Sequence, residues 1–250
     1  MSAPMLEVAG LRKAFGSLIV TDRVDLSLAP GERAAVIGPN GAGKTTLFNL
    51  LSGELSPDAG TIKLDGHTVT GLSPDRRARA GLARSFQKNN LFAEMTVLES
   101  LATAILVADR RMRVFWRSFA SDRALRERAI EVAELVGLDD ELETTVRHLS
   151  YGTQRQLEIG LALVGRPKVL LLDEPTSGMS PEETGAMKAL IAGLPAELTI
   201  LLVEHDMDVV FDLAQTITVL DYGQVVAVGP PEEIRRSQVV REIYLGTDAA

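Results

Sequence analysis

Residues suited to binding phosphate follow one another near the N-terminus, in the order Gly38-Pro39-Asn40-Gly41-Ala42-Gly43-Lys44-Thr45-Thr46. The glycines permit backbone conformations in which successive N–H groups turn inward around an anion. Lys44 would then reach the β- and γ-phosphates of a nucleotide, and the Thr45 hydroxyl would coordinate Mg²⁺. A glycine turn with a purely structural role is the alternative. We favour the phosphate-binding loop, because a short apolar run precedes it and a helix-like run from Thr46 to Leu51 follows it.

Two adjacent carboxylates, Asp173 and Glu174, end the apolar run that starts at Val169. An isolated carboxylate at the end of a buried strand is unfavourable, so a metal ion and a phosphate are its natural partners. Asp173 could bind Mg²⁺ directly or through water. Glu174 faces a different direction and could polarise an attacking water. With the loop upstream, this pair predicts phosphoryl-transfer chemistry.

A further candidate anion site is the run Leu149-Ser150-Tyr151-Gly152-Thr153-Gln154. Ser150 is a favourable N-cap and Gly152 leaves room at the backbone, so the helix that continues to Val164 could present its N-terminus to an anion. Considered alone, this run indicates only a capped helix.

The elements around these residues indicate an α/β fold. Apolar runs without alternation, at residues 169–172 and 199–203, are typical of parallel strands covered on both faces. A helix from Pro181 to Leu194, capped by Ser180, is predicted between them. Further strands are predicted at residues 5–8, 18–28, 34–37, 61–64, 217–220 and 225–228.

The middle of the chain is helical, whereas both flanks are mixed. Helices are predicted at residues 95–107, where Thr96 and Glu99 form a capping box, and at residues 122–136. This shift in composition predicts an inserted helical subdomain within a single domain. The predicted parts are residues 1–250 as one domain, 88–160 as the helical subdomain, and 1–87 with 161–250 as the nucleotide-binding core.

Composition excludes several classes of function. A net charge of -8 argues against nucleic-acid binding through a broad basic surface, and the lack of Cys excludes disulfides and thiolate metal sites. No apolar run approaches the length of a membrane span, so any membrane role is expected to come through a partner. The basic and aromatic segment from Arg110 to Phe119 could contact a membrane surface or an integral partner, or could cover an apolar side of its own domain.

Phe15 and Gln87 carry little information in isolation. An aromatic residue upstream of a phosphate loop could stack on a nucleotide base, or it could be an ordinary half-buried strand residue. A lone glutamine is more often a surface polar residue.

Taken together and in order, these motifs resemble the ATP-binding subunit of an ABC transporter. The matching elements are the phosphate loop, Gln87, the run from Leu149 to Gln154, the pair Asp173-Glu174, the loop from Ser177 to Ser180, and His205. The resemblance covers essentially the whole chain. It implies a P-loop NTPase fold with a RecA-like core and a mostly parallel sheet, an N-terminal antiparallel β subdomain and the inserted helical subdomain.

The resemblance also implies roles for residues. It implies that Phe15 stacks on adenine, that Gln87 links Mg²⁺ and the attacking water to the membrane subunit, and that His205 contacts the γ-phosphate. Ser150, Gly152 and Gln154 would complete the site of a second ATPase subunit, with ATP and Mg²⁺ between the two chains. The expected partners are that second subunit, in a homodimer or a heterodimer, integral permease subunits and, indirectly, a solute-binding protein, with no nucleic acid. The expected location is the cytoplasmic face of the membrane.

Details favour the branched-chain amino acid importer branch of the family. Stretches similar to that branch are residues 83–87, 91–99, 149–159, 203–207 and 243–246. The extra segment near Arg110 suits the longer of the two ATPases in such systems. Tyr151 and Thr153 depart from the common signature and Ser180 stands where the family usually has Asp. We interpret Tyr151 as a character of this branch.

Alternatives in function remain at this point. Relatives of the same fold energise urea or amide uptake or lipopolysaccharide export, and others act in iron–sulfur assembly or DNA repair with soluble partners. A P-loop kinase or switch GTPase would leave the run from Ser150 to Gln154 unexplained.

Overall fold

The structure is a computed structural model that describes residues 3–85, 91–110 and 122–245. Gln87 and residues 111–119 of the basic and aromatic segment lie outside the described residues. The strands are β1 (Leu6–Phe15), β2 (Leu18–Leu28), β3 (Arg33–Ile37), β4 (Ala59–Leu64), β5 (His67–Thr68), β6 (Leu82–Arg84), β7 (Val169–Asp173), β8 (Thr199–Val203), β9 (Thr216–Asp221) and β10 (Gln224–Gly229). The α-helices are α1 (Lys44–Ser52), α2 (Pro74–Ala80), α3 (Val97–Ala108), α4 (Arg123–Leu135), α5 (Tyr151–Leu163), α6 (Pro181–Gly193), α7 (Met207–Leu213), α8 (Pro231–Arg236) and α9 (Gln238–Leu245).

A six-stranded sheet forms the centre, in the order β10-β9-β3-β8-β7-β6. The pairs β3–β8, β3–β9, β7–β8 and β6–β7 are parallel, and β10 adds an antiparallel edge. Residue Asp173 at the end of β7 is in register with Val203 at the end of β8. The carboxyl ends of the parallel strands therefore meet at one edge, where ligands bind in open α/β sheets. The predicted α/β class with a mostly parallel sheet is confirmed.

Alternate residues of the central strands face two separate apolar clusters. Ala35 and Leu172 belong to one cluster, which contains residues of α3 to α7. Val36 and Leu171 belong to the other, which contains residues of α1 and of the second sheet. Strands that are buried on both faces have no polar alternation, and this is why the apolar runs in the sequence identified them.

The second sheet has the order β2-β1-β4-β5, with every neighbouring pair antiparallel. Strands β4 and β5 form a hairpin, and its turn residues Asp65 and Gly66 both have positive φ (48° and 75°). The prediction that the first strand ends at Val8 was wrong, since β1 continues to Phe15. Its register shifts between Val8 and Leu11, beside Gly10, and such an irregularity hides the alternation that would have shown the longer strand.

Three helices start at the predicted caps Thr96, Ser150 and Ser180, and Asp122, which was not predicted as a cap, also caps a helix. Thr96 and Glu99 form a complete capping box on α3, and Ser180 with Glu183 forms another on α6. Asp122 caps α4 and Ser150 caps α5. Helices α3, α4 and α5 contact one another and share their apolar cluster with the central sheet. The division of the chain at residues 88 and 160 stays a prediction.

Candidate functional site

The candidate phosphate-binding loop connects β3 to α1 at the carboxyl edge of the six-stranded sheet. Gly38, Gly41 and Gly43 all have positive φ (154°, 84° and 100°), and Gly43 is the N-cap of α1. A Cβ on Gly38 would lie 2.2 Å from the carbonyl oxygen of Leu220, and one on Gly43 would lie 2.5 Å from that of Val20. Only glycine fits at these two positions, because the loop runs between β9 and β2.

The start of α1 gives the loop its positive potential. Because Gly43 is the cap, Lys44, Thr45 and Thr46 supply the first N–H groups of the helix, which have no acceptor within it. Asn40 and Gly41 are exposed at the tip, while Ala42 is buried and donates its N–H to Pro39 O at 3.2 Å. A glycine cradle that ends in a helix N-terminus fits a polyphosphate.

Lys44 connects the loop with the acidic strand end. Its Nζ donates to Gly38 O at 2.6 Å and to Pro39 O at 3.1 Å. Burial lowers the pKa of Lys44, and the negative charges of Glu174 and Asp173 oppose that shift. The ammonium therefore lies in the field of both carboxylates, on the side of the loop where a phosphate chain would be neutralised.

Asp173 is the candidate metal ligand, together with the exposed Thr45 hydroxyl. Among the described residues, no group of three or more His, Cys, Asp and Glu side chains could hold a metal ion. Mg²⁺ usually takes one or two protein oxygens and keeps phosphate and water oxygens as its other ligands. The residues present thus fit a Mg²⁺ that arrives with a nucleotide, and do not fit a dedicated all-protein metal site.

Glu174 and His205 face each other across the ends of β7 and β8. The Nδ1 atom of His205 is 3.8 Å from Glu174 Oε1, and the histidine side chain is 61% exposed. Glu174 has a φ of 47°, an uncommon left-handed conformation for a residue with a Cβ, and its N–H donates to Val203 O at 2.9 Å. The structure therefore brings Lys44, Asp173, Glu174 and His205 together at the carboxyl edge of the sheet, while their roles stay predictions.

Arg84 is a residue of this region that the sequence analysis missed. It lies on β6, and one of its terminal nitrogens is 2.6 Å from Asp173 Oδ2, with both side chains buried. The other nitrogen donates to Asn49 Oδ1 at 2.7 Å and lies 3.2 Å from Glu54 Oε2. Arg84 thus joins the candidate metal ligand to the end of α1. No strand was predicted at residues 82–84, and the partner of Arg84 could not be inferred from the sequence.

The run from Ser150 to Gln154 forms the first turn of α5. Ser150 Oγ accepts the N–H of Thr153 at 3.1 Å, and Gln154 Nε2 donates to Leu149 O at 3.2 Å. The Tyr151 hydroxyl donates to Ser177 O at 3.1 Å, in the loop after Glu174. The side chain of Glu183 packs against Gly152, and a hydrogen bond from Gly152 N–H helps to lower the pKa of that carboxyl after the larger effect of Ser180.

These contacts connect α5 with the loop that carries Ser177 and Ser180 in the same chain. Arg155 donates to the Tyr151 hydroxyl at 2.9 Å and to Glu158 Oε2 at 2.7 Å. Burial raises the pKa of Glu158, against the effect of Arg155. The contact of Ser150, Gly152 and Gln154 with a nucleotide of another chain stays a prediction.

Phe15 ends β1, where it pairs with Leu18 of β2. Its ring is 50% exposed, and Lys13 Nζ is 5.6 Å from the ring centroid. The neighbouring strand β2 passes over Gly43 at Val20. An exposed ring at this position is accessible to a base, although the stacking itself stays a prediction.

A groove of about 1080 Å³ lies between the central sheet and α3. Leu91, Phe92 and Val107 contribute apolar surface to its lining, and Arg84 and Arg128, which also line it, are paired with Glu54 and Asp109 of the same lining. Phe92 is 69% exposed. None of the helices within the described ranges is both long enough and apolar enough to cross a lipid bilayer.

Comparisons with known proteins place these features in context. A family model described as ABC transporter matches residues 21–177, and one described as branched-chain amino acid ATP-binding cassette transporter matches residues 224–250. The chain is 41% identical to the high-affinity branched-chain amino acid transport ATP-binding protein BraF of Pseudomonas aeruginosa, over 98% of this chain and 99% of that protein. It is likewise 41% identical to the high-affinity branched-chain amino acid transport ATP-binding protein LivG of Escherichia coli K12, over 98% of this chain and 99% of that protein.

Solved structures of ATP-binding cassettes have the same fold as this chain. A nucleotide-free ATP-binding cassette from an ABC transporter matches with a TM-score of 0.83 and 28% identity, covering 97% of this chain and 99% of that chain. The ADP conformation of MJ1267, an ATP-binding cassette of an ABC transporter, matches with a TM-score of 0.86 and 28% identity, covering 98% of this chain and 100% of that chain.

Proposed function

This chain belongs to the ABC transporter family, and from that premise we propose that it is the ATP-hydrolysing subunit of an importer of branched-chain amino acids. The observation that carries the proposal is the convergence of Lys44, Asp173, Glu174 and His205 on a glycine loop at the carboxyl edge of the sheet. Each part of phosphoryl transfer has a candidate group there: a phosphate cradle, a cation, a metal ligand and a carboxylate for water.

The residues divide the work of ATP hydrolysis among them. The loop N–H groups from Gly41 to Thr46 and the Lys44 ammonium hold and neutralise the phosphates. Mg²⁺, when bound by Thr45, Asp173 and Gln87, supplies positive charge against the β- and γ-phosphates. Glu174 orients the attacking water and accepts its proton, while His205 contacts the γ-phosphate. Phe15 stacks on the adenine ring.

The proposed cargo, branched-chain amino acids, is supported by the names of the relatives. BraF and LivG are named for branched-chain amino acid transport, and residues 224–250 match a family model of that type. An ATPase subunit of this kind does not itself contact the cargo. The proposal therefore concerns the transporter that this chain energises.

Two surfaces of the chain support the proposed partners, which are a permease subunit and a second ATPase chain. The groove beside α3 has apolar walls with Arg84 and Arg128 among its lining, and it fits a short amphipathic segment of a permease subunit. Gln87 lies in the segment that leads from β6 towards Leu91. A second ATPase chain would place its Ser150, Gly152 and Gln154 on the nucleotide. The chain would then work at the cytoplasmic face, held there by the permease, with a solute-binding protein on the opposite side.

Substitution of Glu174 tests the proposed reaction. Glu174→Gln keeps the size of the side chain but cannot accept a proton from water, so we expect ATP binding to be retained and release of inorganic phosphate to fall at least 100-fold, roughly. Lys44→Ala is the matched comparison and should lose nucleotide binding. A Glu174→Gln protein that hydrolyses ATP at the wild-type rate would remove Glu174 from this role.

Transport is tested separately from hydrolysis. Copurification of the chain from detergent with its permease, followed by uptake of labelled leucine into proteoliposomes that hold the complex and its solute-binding protein, measures the cargo directly. ATP-dependent uptake of urea in place of leucine would support the proposed ATPase activity but overturn the proposal that the cargo is a branched-chain amino acid.

A further inference from the structure

Glu204 is a buried carboxylate directly before His205, the residue proposed to contact the γ-phosphate. It follows β8 directly and is 0% exposed. Within the described part of the chain, His205 is the only basic side chain at ion-pair distance from it, with Nδ1 3.9 Å from Glu204 Oε2. A buried carboxylate of this kind depends on hydrogen-bond donors. The identity of those donors indicates what the residue does.

Both oxygens of Glu204 accept hydrogen bonds from residues next to the proposed catalytic groups. Oε1 accepts the N–H of Thr176 at 3.0 Å and its hydroxyl at 2.6 Å. Oε2 accepts the N–H of His205 at 3.1 Å. Thr176 lies two residues after Glu174. One side chain thus joins the loop that follows Glu174 to the backbone of His205.

The backbone at Glu174 requires support of this kind. Its φ of 47° is sparsely populated for a residue with a Cβ, and such a conformation persists only where surrounding contacts hold it. The Glu174 N–H is fixed by Val203 O at 2.9 Å, and the Ser177 N–H bonds back to Glu174 O at 3.1 Å. The bonds from Thr176 to Glu204 fix the segment between those two points.

We propose that Glu204 is a positioning residue for ATP hydrolysis, which sets the spacing between the Glu174 carboxylate and the His205 side chain through Thr176 and the His205 backbone. The proposal rests on the proposed function, since that function makes Glu174 and His205 catalytic. Because Glu204 is fully buried, it acts through these neighbours and does not contact nucleotide.

Glu204→Gln is the informative substitution. The amide oxygen can still accept from Thr176, but the amide nitrogen must then face the N–H of His205, donor against donor. The substitution keeps the volume and removes one acceptor at the histidine. We expect kcat for ATP hydrolysis to fall by roughly 10- to 100-fold, the effect of a displacement of about 1 Å at a reacting group. KM and the affinity for a fluorescent ATP analogue should stay within about twofold of wild type, since the phosphate loop is untouched.

A matched control separates positioning from stability. Thr199 is buried at the opposite end of β8, where its hydroxyl accepts from Gly31 N–H at 2.9 Å. Thr199→Val should lower the midpoint of unfolding by urea without lowering kcat per nucleotide-binding site. Thr176→Val is a second, milder test that removes only the hydroxyl donor, and it should also lower kcat without raising KM. If Glu204→Gln does not fold, Thr176→Val carries the test.

The decisive measurement is the double variant with His205→Ala. If Glu204 acts by positioning His205, adding Glu204→Gln to His205→Ala should lower kcat by less than about twofold, although Glu204→Gln alone has a large effect. Independent, multiplicative losses would show that Glu204→Gln does not act through His205 and would overturn the proposal. A Glu204→Gln protein with wild-type kcat, alongside an inactive Glu174→Gln protein, would overturn the positioning role and leave the proposed function intact. If Glu174→Gln and His205→Ala were also fully active, both proposals would be overturned.

Discussion

At the scale of single residues, Asp173 shows how a candidate metal ligand is kept in place. Its carboxylate is buried at the end of β7 and its Oδ2 atom is bound by Arg84 at 2.6 Å. The guanidinium has further oxygen partners in Asn49 and Glu54. An ion pair at such a buried position contributes little net stability, but removing one partner leaves the other charge buried and uncompensated.

Arg84→Met should therefore destabilise the folded chain by roughly 3–5 kcal/mol, as expected when one member of a buried pair is lost. Urea unfolding of the nucleotide-free protein measures this free energy. The double variant Arg84→Met with Asp173→Asn removes the remaining charge and should recover part of the loss. An Arg84→Met protein as stable as the wild type would mean that the ion pair is not maintained in solution.

At the scale of elements, local sequence signals set the helix boundaries. Thr96 accepts the Glu99 N–H at 3.1 Å, and the Glu99 carboxylate accepts the Thr96 N–H at 2.9 Å. This closes the first turn of α3, a helix whose apolar face lies in the cluster shared with the sheet. The capping box fixes where α3 begins, beside the groove proposed to receive a permease segment.

Thr96→Ala should lower the free energy of unfolding by about 1 kcal/mol, because the N–H of Glu99 loses its acceptor. Thr96→Ser is the matched control, since it retains the hydroxyl and should stay within a few tenths of a kcal/mol of wild type, roughly. Urea titrations followed by far-UV circular dichroism give both values. Equal losses in the two variants would show that the methyl group, and not the cap, supplies the stability.

Prediction from sequence succeeded where the signal is local and failed where it is long-range. Caps at Thr96 and Ser180 and the two-faced strands depend on residues within a few positions of one another or on one apolar run. The bond from Tyr151 to Ser177 and the pair of Arg84 with Asp173 join residues 26 and 89 positions apart in the chain. Such contacts depend on the pairing and register of whole strands, and they cannot be inferred from a single sequence.

Glu204 is an intermediate case. It ends an apolar run just as Asp173 does, so its sequence context carried the same signal of a buried carboxylate with a specific partner. The partner is Thr176, 28 positions earlier in the chain, and only the parallel pairing of β7 with β8 brings the two together. The signal could have marked Glu204 as unusual without identifying its role.

The molecule as a whole exposes two residues that a nucleotide shared between two chains would contact. Ser150 and Thr45 are both exposed, at the N-termini of α5 and α1. The proposed function requires that Ser150 of one chain completes the phosphate site of another. Each chain would then contribute one half of each of two related sites, as in a symmetric dimer.

Complementation between two inactive variants tests this shared site. Lys44→Ala removes the phosphate contact. Ser150→Asp keeps a good N-cap on α5 but brings a carboxylate against the phosphates, so each variant alone should be inactive. An equal mixture should recover up to roughly a quarter of the wild-type ATPase rate, since about half of the dimers are mixed and each mixed dimer has one intact site. The rate is measured as phosphate release after the two proteins are mixed in the presence of Mg²⁺ and ATP. Two inactive variants that recover no activity on mixing would overturn a site shared between two copies of this chain.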